Sequence, residues 1–276
     1  MTLLDRSTRP ILLRSIIPTI GLTLALTAWE LPSFARPAIP EVAPSPLSQR
    51  TLTMGTEADF IPFEYRFASD PPSGIVGFDI EVAKTIARRL GFELSIQEVS
   101  FEQLLSDLRS GEFDFAMAAL TPTPERRQFL DFSDAYFTSR HTLISLRSNP
   151  IKRLADLQGK RIAVQKSSIQ EQAMGQLAGS GLNIQVQAYA QMHEIVTAVR
   201  EGTVDAALVE ELVAKAYLEN NPTLELNLLE EMPPTPVAIA FPKGSANVAA
   251  FNQALQEMQA SGELEQLVER WFTDQP

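Results

Sequence analysis

Thr121, Arg126 and Glu210 are the residues of this chain whose types and surroundings suit ligand chemistry. Thr121 opens a polar loop, Thr121-Pro122-Thr123, directly after the apolar run Phe113 to Leu120, and Arg126 stands shortly beyond it. A short, nearly continuous apolar run predicts a strand buried on both faces. Thr123 and Pro124 predict the N-cap and first position of a following helix, with Glu125 in its first turn. In open α/β sheets, ligands bind outside the carboxyl ends of strands, where this loop lies. A guanidinium placed there is a planar, two-pronged donor to a carboxylate and does not lose its charge. A solvated Glu125-Arg126-Arg127 helix face is the competing reading.

The segment leading into that run recurs later. Arg109-Ser110-Gly111-Glu112-Phe113-Asp114-Phe115-Ala116 and Arg200-Glu201-Gly202-Thr203-Val204-Asp205-Ala206-Ala207 share the pattern R-x-G-x-φ-D-x-A. Amphipathic helical stretches precede both, with Leu104, Leu105 and Leu108 in one and Ile195, Val196 and Val199 in the other. In this alignment Glu210 stands where Ala119 stands in the first copy. Two similar α/β units would then each present a strand end, one carrying Thr121 and Arg126, the other Glu210. Chance recurrence of helix-Gly-strand units in an α/β protein is the alternative.

Other chemistries find little support. Cys is absent, which removes disulfides, thiolate metal sites and lipid attachment through Cys. His141 and His193 lack metal-ligand spacing, and there is no G-x-S-x-G and no phosphate-binding Gly loop. No cofactor and no metal are expected. A formal charge of −11 argues against nucleic acid and anionic membrane surfaces. At 276 residues and 45% hydrophobic content, the chain is long enough for one large domain or two ordinary ones with real cores.

The elements that must position these residues alternate. Thr51–Thr56 predicts a strand, Asp79 to Leu90 a helix stopped by Gly91, and Phe92–Val99 a strand, giving a parallel sheet with helices on its faces. A second unit runs from about His141 to Pro234, with strands at Lys160–Val164, Asn183–Ala188 and Val204–Val209. Pro233-Pro234-Thr235-Pro236 is a rigid crossing into strand Val237–Phe241, before two helices ending near Trp271. At the start, Arg6, Arg9 and Arg14 precede the apolar stretch Ser15 to Ala28, and Ser33-Phe34-Ala35 is a small-x-small site. That layout predicts a secretory signal peptide over 1–35, cleaved after Ala35, and an exported protein that is not a lipoprotein. Residues 36–50, with four prolines, predict a flexible leader.

From Thr51 to Phe272 the order of signals resembles the periplasmic solute-binding proteins of ABC-type polar amino acid importers, the bacterial extracellular solute-binding proteins of family 3. The matching pieces are Gly55-Thr56 with Ile61-Pro62-Phe63-Glu64-Tyr65, Val76-Gly77-Phe78-Asp79, Gly111-Glu112-Phe113-Asp114, Leu120 to Arg126, Asp131 to Tyr136, Leu157-Gln158-Gly159-Lys160 and Phe241-Pro242-Lys243-Gly244. The resemblance implies an α/β, two-lobed type II (Venus-flytrap) periplasmic-binding-protein fold with two crossover hinge strands. Lobe 1 would comprise 51–138 plus 238–276 and lobe 2 141–235, with hinges near Ser139-Arg140 and Pro236-Val237. It implies a monomeric, periplasmic binding protein, not an enzyme. Such a protein captures a polar L-amino acid and passes it to ABC permease subunits in the inner membrane.

The resemblance also assigns roles. Arg126 holds the ligand α-carboxylate, with Thr121 beside it. Glu210 stands where an acidic residue, usually Asp, pairs with the α-ammonium; Glu211 next to it competes for that role. Ser168 and the loop from Gln165 close from lobe 2, with Ile169 replacing a more polar residue. Ala119 stands where Gly or Ser is common. Phe60 and Phe101 match positions whose rings sandwich the ligand side chain. Glu57 reaches that side chain, and since Arg126 and Glu210 already balance a zwitterion, a further buried acid favours a basic ligand: arginine, lysine or histidine. If Arg140 neutralises Glu57 instead, glutamine becomes the expectation. The alternatives in other classes are an exported enzyme on the same scaffold, such as a cyclohexadienyl or arogenate dehydratase, and a ligand-sensing module.

Overall fold

The repeat seen in the sequence is built into the backbone twice in the same way. Asp114 donates its N–H to the Thr53 carbonyl (2.9 Å), and its Oδ2 accepts the Thr53 N–H (2.8 Å). Asp205 makes the same two bonds to Arg161, both at 2.8 Å. Each aspartate thus clamps an incoming strand to the neighbouring strand start. Gly111 and Gly202, at φ 82° and 72°, make the left-handed turns that lead into these clamps.

The structure, a computed structural model, describes residues 47–67 and 74–273. The expected signal peptide and most of the leader lie outside the described residues. The first elements are β1 (Thr51–Thr56), β2 (Asp59–Phe60), β3 (Glu64–Arg66), β4 (Ile75–Val76), α1 (Phe78–Leu90), β5 (Glu93–Glu98), α2 (Phe101–Ser110) and β6 (Phe115–Ala116). β7 (Leu130–Ser139) and β8 (His141–Leu146) come after them, separated by Arg140 alone. Next come β9 (Arg161–Gln165), α3 (Ile169–Gly179), β10 (Gln185–Tyr189), α4 (Met192–Arg200), β11 (Ala206–Glu210), α5 (Glu211–Glu219) and β12 (Leu224–Leu228). β13 (Thr235–Pro242), α6 (Val248–Ala260) and α7 (Glu263–Phe272) complete the described chain.

Ten strands form two five-stranded sheets, ordered β5-β1-β6-β13-β7 and β10-β9-β11-β8-β12, and β2, β3 and β4 form a small third sheet. In each five-stranded sheet the first three strands run parallel, and the fourth is antiparallel to both its neighbours. β1 therefore corresponds to β9, and β6 to β11. Each sheet is the centre of one α/β lobe, and the chain crosses between them at Arg140 and again between β12 and β13. At the crossing, β7 and β13 lie side by side, Ser139 opposite Thr235 and Phe137 opposite Val237. Phe101, Leu104 and Leu108 of α2 pack on Phe113, Leu130 and Ala238, while Phe115, Phe241 and Phe251 fill the other face of the first sheet. Met174 of α3 packs on Ile162, Val164 and Leu208 of the second.

Three local expectations are corrected, and one strand is added to them. The run Phe113 to Leu120 is buried apart from the half-buried Asp114, but only Phe115–Ala116 pairs as strand. The ladder stops because the Ala119 N–H is taken by Asp79 Oδ2 (2.9 Å), with Ala119 in a left-handed conformation at φ 46°. The helix expected from Thr123 is one 3-10 turn, Arg126–Gln128, cut short by β7. β7 was not legible because bulges opposite Val237–Ala240 break the period-two burial along Leu130–Ser139. Finally, the leader's last residues belong to the fold: Leu47 is buried and the Gln49 N–H donates to the Gly91 carbonyl (3.0 Å).

Candidate functional site

Arg126 is positioned by the short turn that opens with it. Its N–H donates to Thr123 Oγ1 (3.2 Å), and the Thr123 carbonyl accepts the Arg127 N–H (2.9 Å). The guanidinium is buried. Nη1 donates to the Thr121 carbonyl (3.1 Å), Nη2 to the Ser167 carbonyl of the other lobe (3.3 Å), and the group lies 5.5 Å from the Phe101 ring centre. Burial lowers its pKa to about 10, which leaves it charged at neutral pH. Arg127 is exposed beside the Phe132 ring, so the solvated-face reading holds for Arg127 and fails for Arg126.

From the second lobe, Ser168 caps α3: its Oγ accepts the Glu171 N–H (3.1 Å) and donates to the Gln165 carbonyl (2.6 Å). The N-terminus of this helix therefore faces the guanidinium side of the cleft, where partial positive charge collects. Gln165, the last residue of β9, sends its side-chain amide to Glu57 Oε2 (2.6 Å).

Two acids line the cleft with no cation bonded to them among the described residues. Glu57 comes directly after β1 and is 4% exposed; its Oε1 has no hydrogen-bond partner. Burial, then the negative charges of Asp59 and Glu98, push its pKa to about 8 despite the Gln165 bond. Glu210 closes β11, is 3% exposed, and its Oε2 is likewise unpartnered. Burial and Asp79 push it to about 8. Glu211, by contrast, is bound to Arg140 (2.8 Å) and Lys215 (2.6 Å). Arg140 is therefore committed to Glu211 and does not neutralise Glu57, which corrects that alternative. The β11–α5 junction separates the two acids by turning Glu210 inward and Glu211 toward the crossing.

All nine expected residues line one cavity between the lobes: Glu57, Phe60, Phe101, Ala119, Thr121 and Arg126 from the first, and Gln165, Ser168 and Glu210 from the second. Ile169, whose apolar side chain the sequence marked as unusual, lines it too. Ala118 and Gln170 were not expected there. Gln170 is buried, with its amide 3.5 Å from His141 Nδ1; its only sequence signal is its place just after the Ser168 cap. Among the described residues there is no cluster of three or more His, Cys, Asp or Glu that could hold a metal. The cavity thus offers one guanidinium, a helix N-terminus and two unpartnered carboxyl oxygens.

A two-lobed fold whose lobes meet on a buried, charged cavity is the architecture of a solute-binding protein. Residues 52–274 match the bacterial extracellular solute-binding proteins, family 3, and the chain belongs to that family. It is 37% identical over 227 residues to the arginine-binding extracellular protein ArtP of Bacillus subtilis, covering 82% of this chain and 87% of ArtP. A solved structure of the amino acid ABC transporter substrate-binding protein AbpA of Streptococcus pneumoniae, bound to L-arginine, superposes with a TM-score of 0.74. That match has 36% identity and covers 80% of this chain and 94% of AbpA. An ancestral arginine-binding protein bound to glutamine matches with a TM-score of 0.75 at 34% identity, over 82% and 99% of the two chains. These relatives are binding proteins and not enzymes. Among the described residues no helix is long and apolar enough to cross a membrane.

Proposed function

We propose that this protein captures a basic L-amino acid and delivers it to an ABC permease. The observation that carries the proposal is the charge count of the cavity. Arg126 and the α3 N-terminus suit an α-carboxylate; Glu210 suits an α-ammonium; the unpartnered Glu57 oxygen suits a cationic side chain. Phe60 and Phe101 flank the aliphatic part of such a side chain, and Thr121, Ala119, Ser168 and Gln165 supply polar backbone and side-chain groups around it. The arginine-binding protein ArtP and the arginine complex of AbpA support the same ligand class.

In this reading the lobes, 51–138 plus 238–276 and 141–235, close by rotation near Ser139-Arg140 and Pro236-Val237. The chain is exported by cleavage after Ala35 and acts as a monomer in the periplasm. Glutamine is the second reading. The Gln165 amide already shares Glu57, and a Glu57 that keeps its proton would suit a neutral amide; the ancestral relative bound to glutamine supports it. Calorimetric titration of residues 36–276, refolded to remove ligand, against the standard L-amino acids tests the proposal. Micromolar or tighter binding of arginine, lysine or histidine, lost in Arg126→Ala, is the expected result. Binding of glutamine alone would replace the ligand class, and binding of no amino acid by the folded protein would overturn the function.

A further inference from the structure

Glu210 and Glu211 are chemically identical neighbours, yet only Glu210 lines the ligand cavity. The strand ladder sets their opposite directions. β8 and β11 are antiparallel with His141 opposite Glu210, so one step further along the ladder Arg140 comes opposite Glu211. Opposed residues share a face and successive residues alternate, which puts Glu210 on the face of the buried His141 and Glu211 on the face of Arg140. The Glu211 N–H donates to the Arg140 carbonyl (2.9 Å), and Arg140 Nε donates back to Glu211 Oε2 (2.8 Å). Lys215, one turn along α5, takes Oε1 (2.6 Å). Arg140 is also the single residue between β7 and β8, so this cluster sits on the first crossing between the lobes.

We infer that Arg140 is a positioning residue for recognition of the ligand α-ammonium: by pinning Glu211 to the crossing, it fixes the β11–α5 junction and keeps Glu210 turned into the cavity. Glu210 needs such support because little else holds it. It is the N-cap residue of α5, but its side chain makes no bond to the helix, and its Oε2 has no partner. An acid at an N-cap gains by folding back onto the free N–H groups of its own helix. A loosened junction would release Glu210 to do so and take it from the cavity. The clamp is stronger than an ordinary surface ion pair, since the Glu211 side chain is only 11% exposed and both its oxygens are engaged. Burial raises the Glu211 pKa, but the bonds from Lys215 and Arg140 outweigh it and leave the group lowered, while burial raises Glu210 to about 8. Arg140, Glu211 and Lys215 border a cavity of about 240 Å³ at the crossing, so Arg140→Ala enlarges an existing opening and spares the packed core.

This deepens the proposed function and rests on its assignment of Glu210 to the α-ammonium. The test compares L-arginine with 5-guanidinopentanoate, the same molecule without the α-amino group, with circular dichroism as the check on folding. Arg140→Ala and Glu211→Ala are each expected to weaken L-arginine about five- to tenfold and 5-guanidinopentanoate by less than about twofold. The double variant is expected to lose no more than either single one, and Arg140→Lys, which keeps a cation, to stay within about twofold of wild type. Equal weakening of both ligands, the mark of a merely structural or hinge role, overturns the inference, as does a double variant whose loss is the sum of the two. Glu210→Gln is the reference: unchanged discrimination between the ligands there refutes the ammonium assignment of the proposed function. Crystal structures of ligand-free wild type and Arg140→Ala then decide the positioning by themselves, whether or not arginine binds. The Glu210 carboxyl is expected to turn from the cavity face toward the α5 N-terminus in Arg140→Ala, and a carboxyl that stays in place overturns the inference.

Discussion

Gln165 donates its side-chain amide to Glu57 across 2.6 Å, joining the end of β9 in one sheet to the turn after β1 in the other. These are equivalent strands of the two repeats. Glu210 and Ala119, also equivalent by the repeat, line the same cavity. The site is therefore the meeting of two copies of one strand-end geometry, made different by what each copy carries.

Ligand binding should release protons. Without ligand, Glu57 and Glu210 each have a pKa of about 8, so both are mostly neutral at pH 7. Two ligand cations favour the charged carboxylates and draw the protons off. Calorimetry of L-arginine binding in phosphate and in Tris should give different heats, corresponding to one to two protons released. Affinity should rise from pH 6 to pH 8 by up to about tenfold per group per pH unit, then level off. Buffer-independent heats would contradict this.

The same groups set the pH dependence of the ligand-free fold. Glu57, Glu64, Asp79 and Glu210 all have folded-state pKa values raised above the unfolded carboxyl value. The folded state then binds more protons than the unfolded state, so stability is greatest below that unfolded value and falls as pH rises. The thermal midpoint should drop by on the order of 5 °C between pH 5 and pH 8. Glu57→Gln should flatten part of that drop. A midpoint that rises over this range would show the acids to be ionised at little cost.

Asp59 of β2 bridges the lobes away from the cavity. Its Oδ2 accepts the His193 N–H (3.1 Å) and meets the ring Nδ1 (2.9 Å), and its Oδ1 accepts the Tyr217 O–H (2.7 Å). These contacts favour closure without touching the site. Tyr217→Phe should therefore weaken all amino acid ligands by the same factor, roughly three- to tenfold, mainly through faster release. A change in the ranking of ligands would place Tyr217 in the recognition machinery.

The two repeat aspartates make the same backbone contact, and Asp205 also pairs with the Arg161 guanidinium (3.1 Å). Asp114→Ala and Asp205→Ala each leave a strand N–H without its acceptor, at Thr53 and at Arg161. Each should cost about 1–3 kcal/mol of stability, read by urea unfolding, with little change in ligand ranking. A cost in one and none in the other would break the equivalence of the two units.

Much of this was legible in the sequence because the repeat fixes two strand ends and helix caps mark the starts of the elements beyond them. That route put Thr121, Arg126 and Glu210 near strand ends, but choosing Arg126 over a solvated helix face and Glu210 over Glu211 needed the family resemblance. Phe60, Phe101, Ala119, Gln165, Ser168 and Glu57 needed the family resemblance, since a Phe or a loop acid has no periodicity that marks it as facing a cleft. The left-handed turn at Ala119 was hidden because its cause, Asp79, lies far away in sequence. The partition of Glu210 from Glu211 depends on where β11 ends and α5 begins, a boundary that sequence pattern leaves open by a residue or two.

Glu57 as the reader of side-chain charge is tested most directly by comparing L-arginine with L-citrulline, its neutral isostere, in wild type and in Glu57→Gln. Both ligands present the same carboxylate and ammonium to Arg126 and Glu210; only the side-chain charge facing Glu57 differs. Wild type is predicted to prefer arginine by on the order of a hundredfold, and the preference to fall below about tenfold in Glu57→Gln. Equal binding of the two by wild type, or a preference undiminished in Glu57→Gln, would contradict that role.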